Sequence, residues 1–271
     1  MTSYSFRRSK ELKKDATFSL FALSNFGLAR HQQKLIYGSV IFSIIIWGWP
    51  YMMKFFRRFQ DLGIEGKKAH KYDEFSRRYR LQELREYARS VVHHVPQAGC
   101  VLEIGSGPGY FSIELAKLGN FKITGLDISH EFVKIARDNA QLARVEVDFQ
   151  QGNASAMSFP DKAFDFAFCS WSFKNFKEPL KVLNEMYRVL KPGATALIID
   201  LNHHASNLEW SRYASNSGFK GVAGLFMKTA FQIQRSGAYS EGDFSGLIQK
   251  TSFEKYDVQI VGINLYVYLF K

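Results

Sequence analysis

Cysteine is scarce: Cys100 and Cys169 are the two in 271 residues. Both sit in apolar runs, which excludes a disulfide-stapled domain and fits buried thiols in a reduced compartment. No Cys/His grouping has metal-ligand spacing, so no metal is expected. No period of solenoid length recurs. The first 16 residues are polar and basic with no short apolar core close behind, so a cleavable signal is not expected either. Acidic side chains are scarce at one end. Residues 1–80 hold 16 of the 36 Lys+Arg but 6 of the 25 Asp+Glu, whereas the other 191 residues hold 20 and 19 and are close to neutral. An enzyme acting on nucleic acid would carry its positive charge around the active-site mouth. Charge confined to an N-terminal extension points instead to an anionic surface, and no nucleic-acid partner is expected.

Within that basic region, residues 35–53 (LIYGSVIFSIIIWGWPYMM) run 19 positions without a charge. At 1.5 Å per helical residue they just reach across a hydrocarbon core. Trp47, Trp49 and Tyr51 cluster at one end, as membrane-interface aromatics do, and Lys54, Arg57 and Arg58 follow at once. Three readings stand side by side. A full span would carry the basic N-terminus across, against the positive-inside tendency. A monotopic insertion bent at Pro50 keeps both basic flanks on an anionic cytoplasmic face. An apolar helix packed on the domain as a lid or dimer interface needs no membrane. The monotopic reading is preferred, placing the protein in the cytoplasm, peripheral or monotopic on the inner face of a membrane; oligomeric state is not legible.

The chain is organised around Val101–Tyr110, VLEIGSGPGY. An apolar run ends at an acid, glycines follow at 105, 107 and 109, and Phe111–Leu118 then carries apolar residues at helical spacing. This is strand, tight turn and helix, the opening of a nucleotide-binding α/β unit. The helix N-terminus is expected to offer unpaired N–H groups to a ligand. The next apolar run, Phe121–Leu126, ends at Asp127, 18 residues beyond Gly109. An acid at that strand tip is placed to accept hydrogen bonds from ribose hydroxyls.

With these residues the sequence resembles the class I S-adenosylmethionine (SAM) methyltransferases, whose first motif E-x-G-x-G-x-G stands here as Glu103-Ile104-Gly105-Ser106-Gly107-Pro108-Gly109. A dinucleotide-binding unit more usually reads G-x-G-x-x-G. SAM has no pyrophosphate, so an acid facing its ammonium group is favourable, whereas a dinucleotide would be repelled. Further segments carry the resemblance. Gly152–Asp161 (GNASAMSFPD) is similar to the family's adenine-side segment, with Asn153 where an acid is more usual; its carbonyl oxygen can still accept a hydrogen bond. NEMYRVLKPG at 184–193 is strongly family-specific, and Ser172-Phe173-Lys174-Asn175 looks like the post-strand motif of quinone-type C-methyltransferases. The pattern covers about 98–201. The loop after the fourth strand has no Asn/Asp-Pro-Pro-Tyr run for a planar nitrogen, and no cysteine pair suits covalent addition to a pyrimidine.

The resemblance implies a doubly wound, seven-stranded, mostly parallel sheet of α/β class. It implies SAM as cofactor and S-adenosylhomocysteine as product. Glu103, Gly105, Ser106, Gly107, Gly109, Asp127, Ile128, Asn153, Ala154 and Ser170 are implied cofactor contacts, and Tyr72 of the Tyr72-Asp73 pair comes near it. Phe173 and Asn175 are expected to line the methyl-transfer site. His203 and His204, just past the fifth strand, are the best-placed candidates for general base, since a neutral imidazole takes a proton near pH 7.

The expected boundaries put an extension at 1–80 and a methyltransferase domain at 81–271. Residues 63–80 read as a charged linker, followed by a helix at Leu81–His94. Within the domain, further helices are expected at Glu131–Leu142 and at Pro179–Leu190, the latter stopped by Lys191-Pro192-Gly193. Strands are expected at Arg144–Gln150, Phe164–Cys169 and Thr195–Leu201. Residues 202–250 read as a helical, aromatic-rich substrate cover and Thr251–Lys271 as a closing β-hairpin. An apolar small molecule or lipid is the expected acceptor. A soluble enzyme of secondary metabolism and a non-catalytic scaffold are the alternatives.

Overall fold

The computed structural model describes residues 63–216 and 231–271. The apolar segment 35–53 and residues 217–230 of the expected substrate cover lie outside them. Among the described residues no helix is long and apolar enough to cross a membrane.

Seven strands form one sheet: β1 (Cys100–Ile104), β2 (Lys122–Asp127), β3 (Asp148–Gln151), β4 (Phe164–Ser170), β5 (Leu190–Leu201), β6 (Lys255–Val261) and β7 (Asn264–Phe270). Their order is β3-β2-β1-β4-β5-β7-β6. The first five are parallel, and β7 enters antiparallel to both β5 and β6. The winding reverses between β1 and β4, so their carboxyl ends open the crevice where such sheets bind ligands.

Alternation along the strands builds two cores. Val101, Phe166, Phe168, Leu197 and Ile199 face one side. There they meet Leu84, Ala88 and Val91 of α2 (Leu81–Val91) and Phe111 and Leu115 of α3 (Tyr110–Ala116). The intervening Leu102, Ala167, Cys169, Ala196 and Ile198 face α5 (Pro179–Val189) and Phe244 and Ile248 of α7 (Glu241–Ile248). Full burial of each larger aliphatic or phenyl side chain contributes about 1.5–3 kcal/mol. α4 (His130–Ala143) covers the β2–β3 end through Val133, Ala136 and Ala140 against Phe149. On the far side α6 (Asn207–Asn216) buries Trp210 and Ala214 beside Phe231.

Three boundaries differ from the sequence reading. Residues 67–79 form a helix, α1 (Lys67–Tyr79), rather than a linker. Its buried positions, Ala69, Asp73 and Ser76, are small or polar, so its packing face carries no apolar stripe. It docks on α4 through Ala69 against Phe132 and Ile135. β3 starts at Asp148, not Arg144, because Arg144 adopts a left-handed conformation that ends α4. Lys191-Pro192-Gly193 does not separate α5 from the next strand. β5 begins at Leu190, and the tripeptide forms an irregularity in its pairing with β4. Of the two thiols, Cys169 is buried and Cys100 partly so.

Candidate active site

The crevice is built by the turn after β1. Gly105 and Ser106 both donate their N–H to the Leu126 carbonyl, 2.8 and 3.1 Å, which ties the turn to the end of β2. Gly107 donates to Asp127 Oδ2 at 2.7 Å. The last two glycines of the motif serve different ends. At Gly109, φ is +82°, and a Cβ would come within 2.5 Å of Phe149 Cζ and 2.9 Å of Ala136 Cβ, so this position lets α3, α4 and β3 meet. At Gly107, φ is +51° and a Cβ would meet nothing within 4 Å, so the chain there borders open space. Gly105 lies under Ser172 from the loop after β4, whose hydroxyl donates to the Gly105 carbonyl at 3.0 Å.

Two carboxylates flank the turn. Glu103, 3% exposed, accepts from both the main-chain N–H and the hydroxyl of Ser112. The first turn of α3 therefore presents fewer free N–H groups than the sequence suggested, because the motif acid itself takes the one at Ser112. Burial pushes the Glu103 carboxyl up to about 8, against the pull of Ser112 and helped by the nearby charge of Asp127. Asp127 accepts from Gly107 with one oxygen and from Ser129 N, 2.9 Å, with the other. Its pKa is also raised, chiefly by burial. Beside it, Ser129 caps α4 by accepting from Phe132 N at 3.0 Å, and the Glu65 carboxylate accepts from His130 N and Glu131 N at 3.0 and 3.1 Å. Acids at a helix N-terminus offset its exposed N–H groups and dipole.

The remaining predicted residues divide by location. Ile128 is half-buried next to Asp127, and its carbonyl accepts from Gln151. Asn153 accepts from Ser155 N at 2.8 Å in a local turn, and Ala154 is buried behind it. The hydroxyls of Ser106, Ser155 and Ser170 are buried with no partner among the described residues. Tyr72 packs against Phe132, ring centroids 5.5 Å apart. Its neighbour Asp73 is a clasp: it accepts from Tyr110 OH (2.7 Å), from Arg77 (2.6 Å), and from Asn139 Nδ2 (3.0 Å), which also reaches the Pro108 carbonyl at 3.0 Å. α1 is thereby fixed to the glycine turn.

The loop after β4 gathers residues that spacing alone does not single out. Trp171 has φ +57°, an unusual conformation for a bulky side chain and one that marks a constrained position. Lys174 Nζ donates to the Trp171 carbonyl at 2.7 Å and pairs with Asp200 at 3.0 Å; their side chains are 8% and 1% exposed. Phe173 is fully enclosed among Phe176, Tyr239 and Phe244, so it anchors the loop rather than facing the crevice. Asn175 is exposed. His203 and His204 are exposed at the end of β5, their rings 5.2 Å apart, and His203 Nδ1 lies 3.1 Å from the Arg235 carbonyl. Of the histidines' neighbours, Asp200 turns inward to Lys174.

A sheet with this winding, its crevice bordered by an open-sided glycine and two buried carboxylates, has the Rossmann-like architecture of class I SAM-dependent methyltransferase domains. A family described as methyltransferase domain matches residues 102–198. Demethylmenaquinone methyltransferases are among the similar curated proteins. That of Deinococcus radiodurans is 32% identical over 125 residues, 46% of this chain and 51% of its own length. That of Listeria welshimeri is 34% identical over 131 residues, 47% and 55%. The chain thus spans about half the length of the curated relatives it matches. Among solved structures, a Methanococcus maripaludis protein described as a SAM-dependent methyltransferase superposes with a TM-score of 0.64 at 22% identity, over 76% of this chain and 96% of that one. This likeness is one of fold.

SAM is the cofactor of this class, and the site suits it. The space beside Gly107 admits a ligand where a side chain would intrude. Glu103 offers an acid that an ammonium group could meet, Asp127 retains acceptor capacity that ribose hydroxyls could use, and three buried serine hydroxyls stand without partners among the described residues.

Proposed function

We propose that this protein transfers the SAM methyl to an apolar aromatic acceptor of the quinol type, drawn from a membrane surface. One observation carries the acceptor class: the wall next to the carboxyl end of β4 is aromatic. Trp171 packs with Tyr213 of α6, and Tyr213 and Trp210 pack in turn with Phe231. The names of the curated relatives agree with it.

When bound, SAM supplies an electrophilic methyl. The acceptor carbon would take that methyl as the S–CH3 bond breaks with its electron pair left on sulfur, and the acceptor would give up a proton. The chain's own part is positioning. Glu103, Gly105, Ser106, Gly107, Gly109, Asp127, Ile128, Asn153, Ala154 and Ser170, with Tyr72 nearby, hold the cofactor by its ammonium, ribose and adenine. Phe173 keeps the β4 loop in place, and exposed Asn175 borders the methyl-transfer site. His203 and His204 are candidates among the described residues for taking up the proton. Alignment of acceptor and methyl yields several orders of magnitude in rate without a strong base.

The membrane part rests on the uncharged 35–53 segment and its basic flanks. The test is to incubate the protein with methyl-labelled SAM and reduced, short-chain demethylmenaquinone, and to look for one added methyl on the ring carbon by mass spectrometry. An unmodified quinol, with label found on another compound of a lipid extract, refutes the acceptor. Flotation with anionic liposomes, compared with a variant lacking residues 1–60, tests the membrane. Equal flotation of the two refutes that part.

A further inference from the structure

Arg80 lies at the junction of α1 and α2 and is 7% exposed. Its Nε donates to Glu83 Oε2 at 3.1 Å and its Nη1 to Tyr72 OH at 3.4 Å, but Nη2 is buried with no partner among the described residues. The guanidinium carbon sits 4.2 Å from the centroid of the Trp171 ring, and the Trp171 indole N–H is likewise buried and unpartnered. A buried donor without an acceptor costs about 1–3 kcal/mol. Two of them on one cation–aromatic stack, at the end of the strand that leads into the crevice, leave unmet hydrogen-bonding capacity beside the site.

What fills this stack is informative. Tyr213, from the cover helix α6, places its ring 5.8 Å from Trp171 at an interplanar angle of 30° and its hydroxyl 3.3 Å from Glu83 Oε2. A phenol thus already leans over Trp171, its hydroxyl donating to the Glu83 carboxylate that also pairs with Arg80. Glu83 is held on its other side by Tyr87, whose hydroxyl donates to Oε1 at 2.5 Å. Burial alone would pull the Arg80 pKa down, yet the facing Glu83 carboxylate and the ring of tyrosines hold it above its ordinary value, so the guanidinium stays charged.

We propose that the slot formed by Trp171, Arg80 and Glu83 is the recognition site for a hydroxylated aromatic acceptor, and that Tyr213 occupies it as an internal stand-in until the acceptor displaces it. The inference rests on the methyltransferase reading above and assigns recognition of the acceptor's ring hydroxyl to named residues of this chain. Arg80 donates to that oxygen and favours its anion, and a phenolate makes the neighbouring ring carbon a stronger nucleophile toward an electrophilic methyl. Arg80 is a positioning and specificity residue in this scheme, and Tyr213 is a gate.

The test uses the full-length protein saturated with S-adenosylhomocysteine, titrated calorimetrically with 1-naphthol and with naphthalene as probes. Wild type is expected to prefer 1-naphthol by about tenfold, the worth of one charged hydrogen bond. Tyr213→Ala should tighten binding of 1-naphthol by removing the competing phenol. Glu83→Gln, which removes the internal counter-ion, should tighten it further as pH rises through the naphthol's ionisation. Arg80→Gln should abolish the preference and Arg80→Lys restore part of it, with affinity for S-adenosylhomocysteine unchanged in both.

Equal binding of the two probes by wild type, or looser binding of 1-naphthol by Tyr213→Ala, overturns the proposal. So does a preference that survives in Arg80→Gln. If Arg80→Gln does not fold, the tightening expected in Tyr213→Ala, and in Glu83→Gln as pH rises, still decides the matter, and its absence in both overturns the proposal. An Arg80-dependent preference together with an unmethylated demethylmenaquinol keeps the slot and removes the quinol reading. Methylation of the quinol with no such preference does the reverse.

Discussion

The carboxylate of Glu103 at the end of β1 accepts two hydrogen bonds from one residue, Ser112: 3.1 Å from its main-chain N–H and 2.5 Å from its hydroxyl. The motif acid therefore caps the helix that follows its own glycine turn, and a ligand at the site meets a carboxylate already fixed in orientation. Such pre-organisation lowers the cost of binding.

That placement has a pH signature. Burial raises the Glu103 pKa to about 8, so below that value a cationic ligand must first displace a proton. The ratio of wild-type to Glu103→Gln affinity for SAM should rise with pH, by at most about tenfold per unit up to about pH 8, and then level off. Taking the ratio cancels the ligand's own ionisation. Stability should run the other way. Between 4.5 and about 8 the folded protein holds a proton that the unfolded chain has released, so stability falls as pH rises through that window. Calorimetric titrations and thermal melts across pH 5–9 check both, and a flat affinity ratio refutes the assignment of Glu103 to the ammonium.

Gly107→Ala and Gly109→Ala should separate binding from folding. At Gly107 an added Cβ meets no atom, and the left-handed conformation alone costs about 1–2 kcal/mol. The new methyl does intrude on the ligand's space, so SAM affinity should fall well beyond tenfold with a modest loss of melting temperature. At Gly109 the Cβ would lie 2.5 Å from the ring of Phe149, itself 1% exposed. Overpacking adds to the backbone strain, for about 3 kcal/mol or more. Urea unfolding beside SAM titration decides this, and equal destabilisation of the two variants would contradict it.

Asp127→Ala removes the acceptor for two main-chain donors, Gly107 N–H at 2.7 Å and Ser129 N–H at 2.9 Å, as well as the expected ribose contact. Hydrogen bonds to a charged group contribute about 1.5–3 kcal/mol each, so SAM should bind about ten- to a hundredfold more weakly. Adenine alone should lose less than adenosine if the acid serves the ribose. Equal losses for the two ligands would point to a collapsed turn instead.

Much of this site is legible in the chain, for a physical reason. β1, the glycine turn, Asp127, β4 and the closing hairpin follow from short-range rules: strand alternation, left-handed glycines and a polar residue at a strand tip. α1 escapes those rules because its packing face is Ala69, Asp73 and Ser76, which no apolar period marks, while its exposed positions carry the charge that made it read as linker. The Tyr72-Asp73 pair did carry a signal, although the clasp belongs to the acid rather than the aromatic. Arg80, Glu83, Trp171 and Tyr213 come together from segments up to 133 positions apart, so nothing in their local sequence announces the stack. Phe173 was singled out by its motif position, but its burial follows from packing against Tyr239 and Phe244, which a local pattern does not encode.

Lys174 and Asp200 form a buried pair that fixes the loop carrying Trp171, with side chains 8% and 1% exposed and Nζ 3.0 Å from Oδ1. Asp200 also accepts from the main-chain N–H groups of Lys174 and Leu201, at 2.9 and 2.8 Å, so it has polar support independent of the lysine charge. Lys174→Met should leave an uncompensated buried carboxylate and cost about 3–5 kcal/mol. Adding Asp200→Asn removes that charge while keeping one acceptor oxygen for the main chain, so the double variant should regain at least half of the loss. Because Lys174 also donates to the Trp171 carbonyl, both variants should loosen the loop. SAM affinity should change less than 1-naphthol affinity, since the glycine turn and Asp127 are untouched. Chemical denaturation of the two single variants and the double, with both ligands titrated, closes the cycle. Additive losses would mean that the two side chains do not act as a pair, and a larger effect on SAM would place this loop on the cofactor side of the crevice.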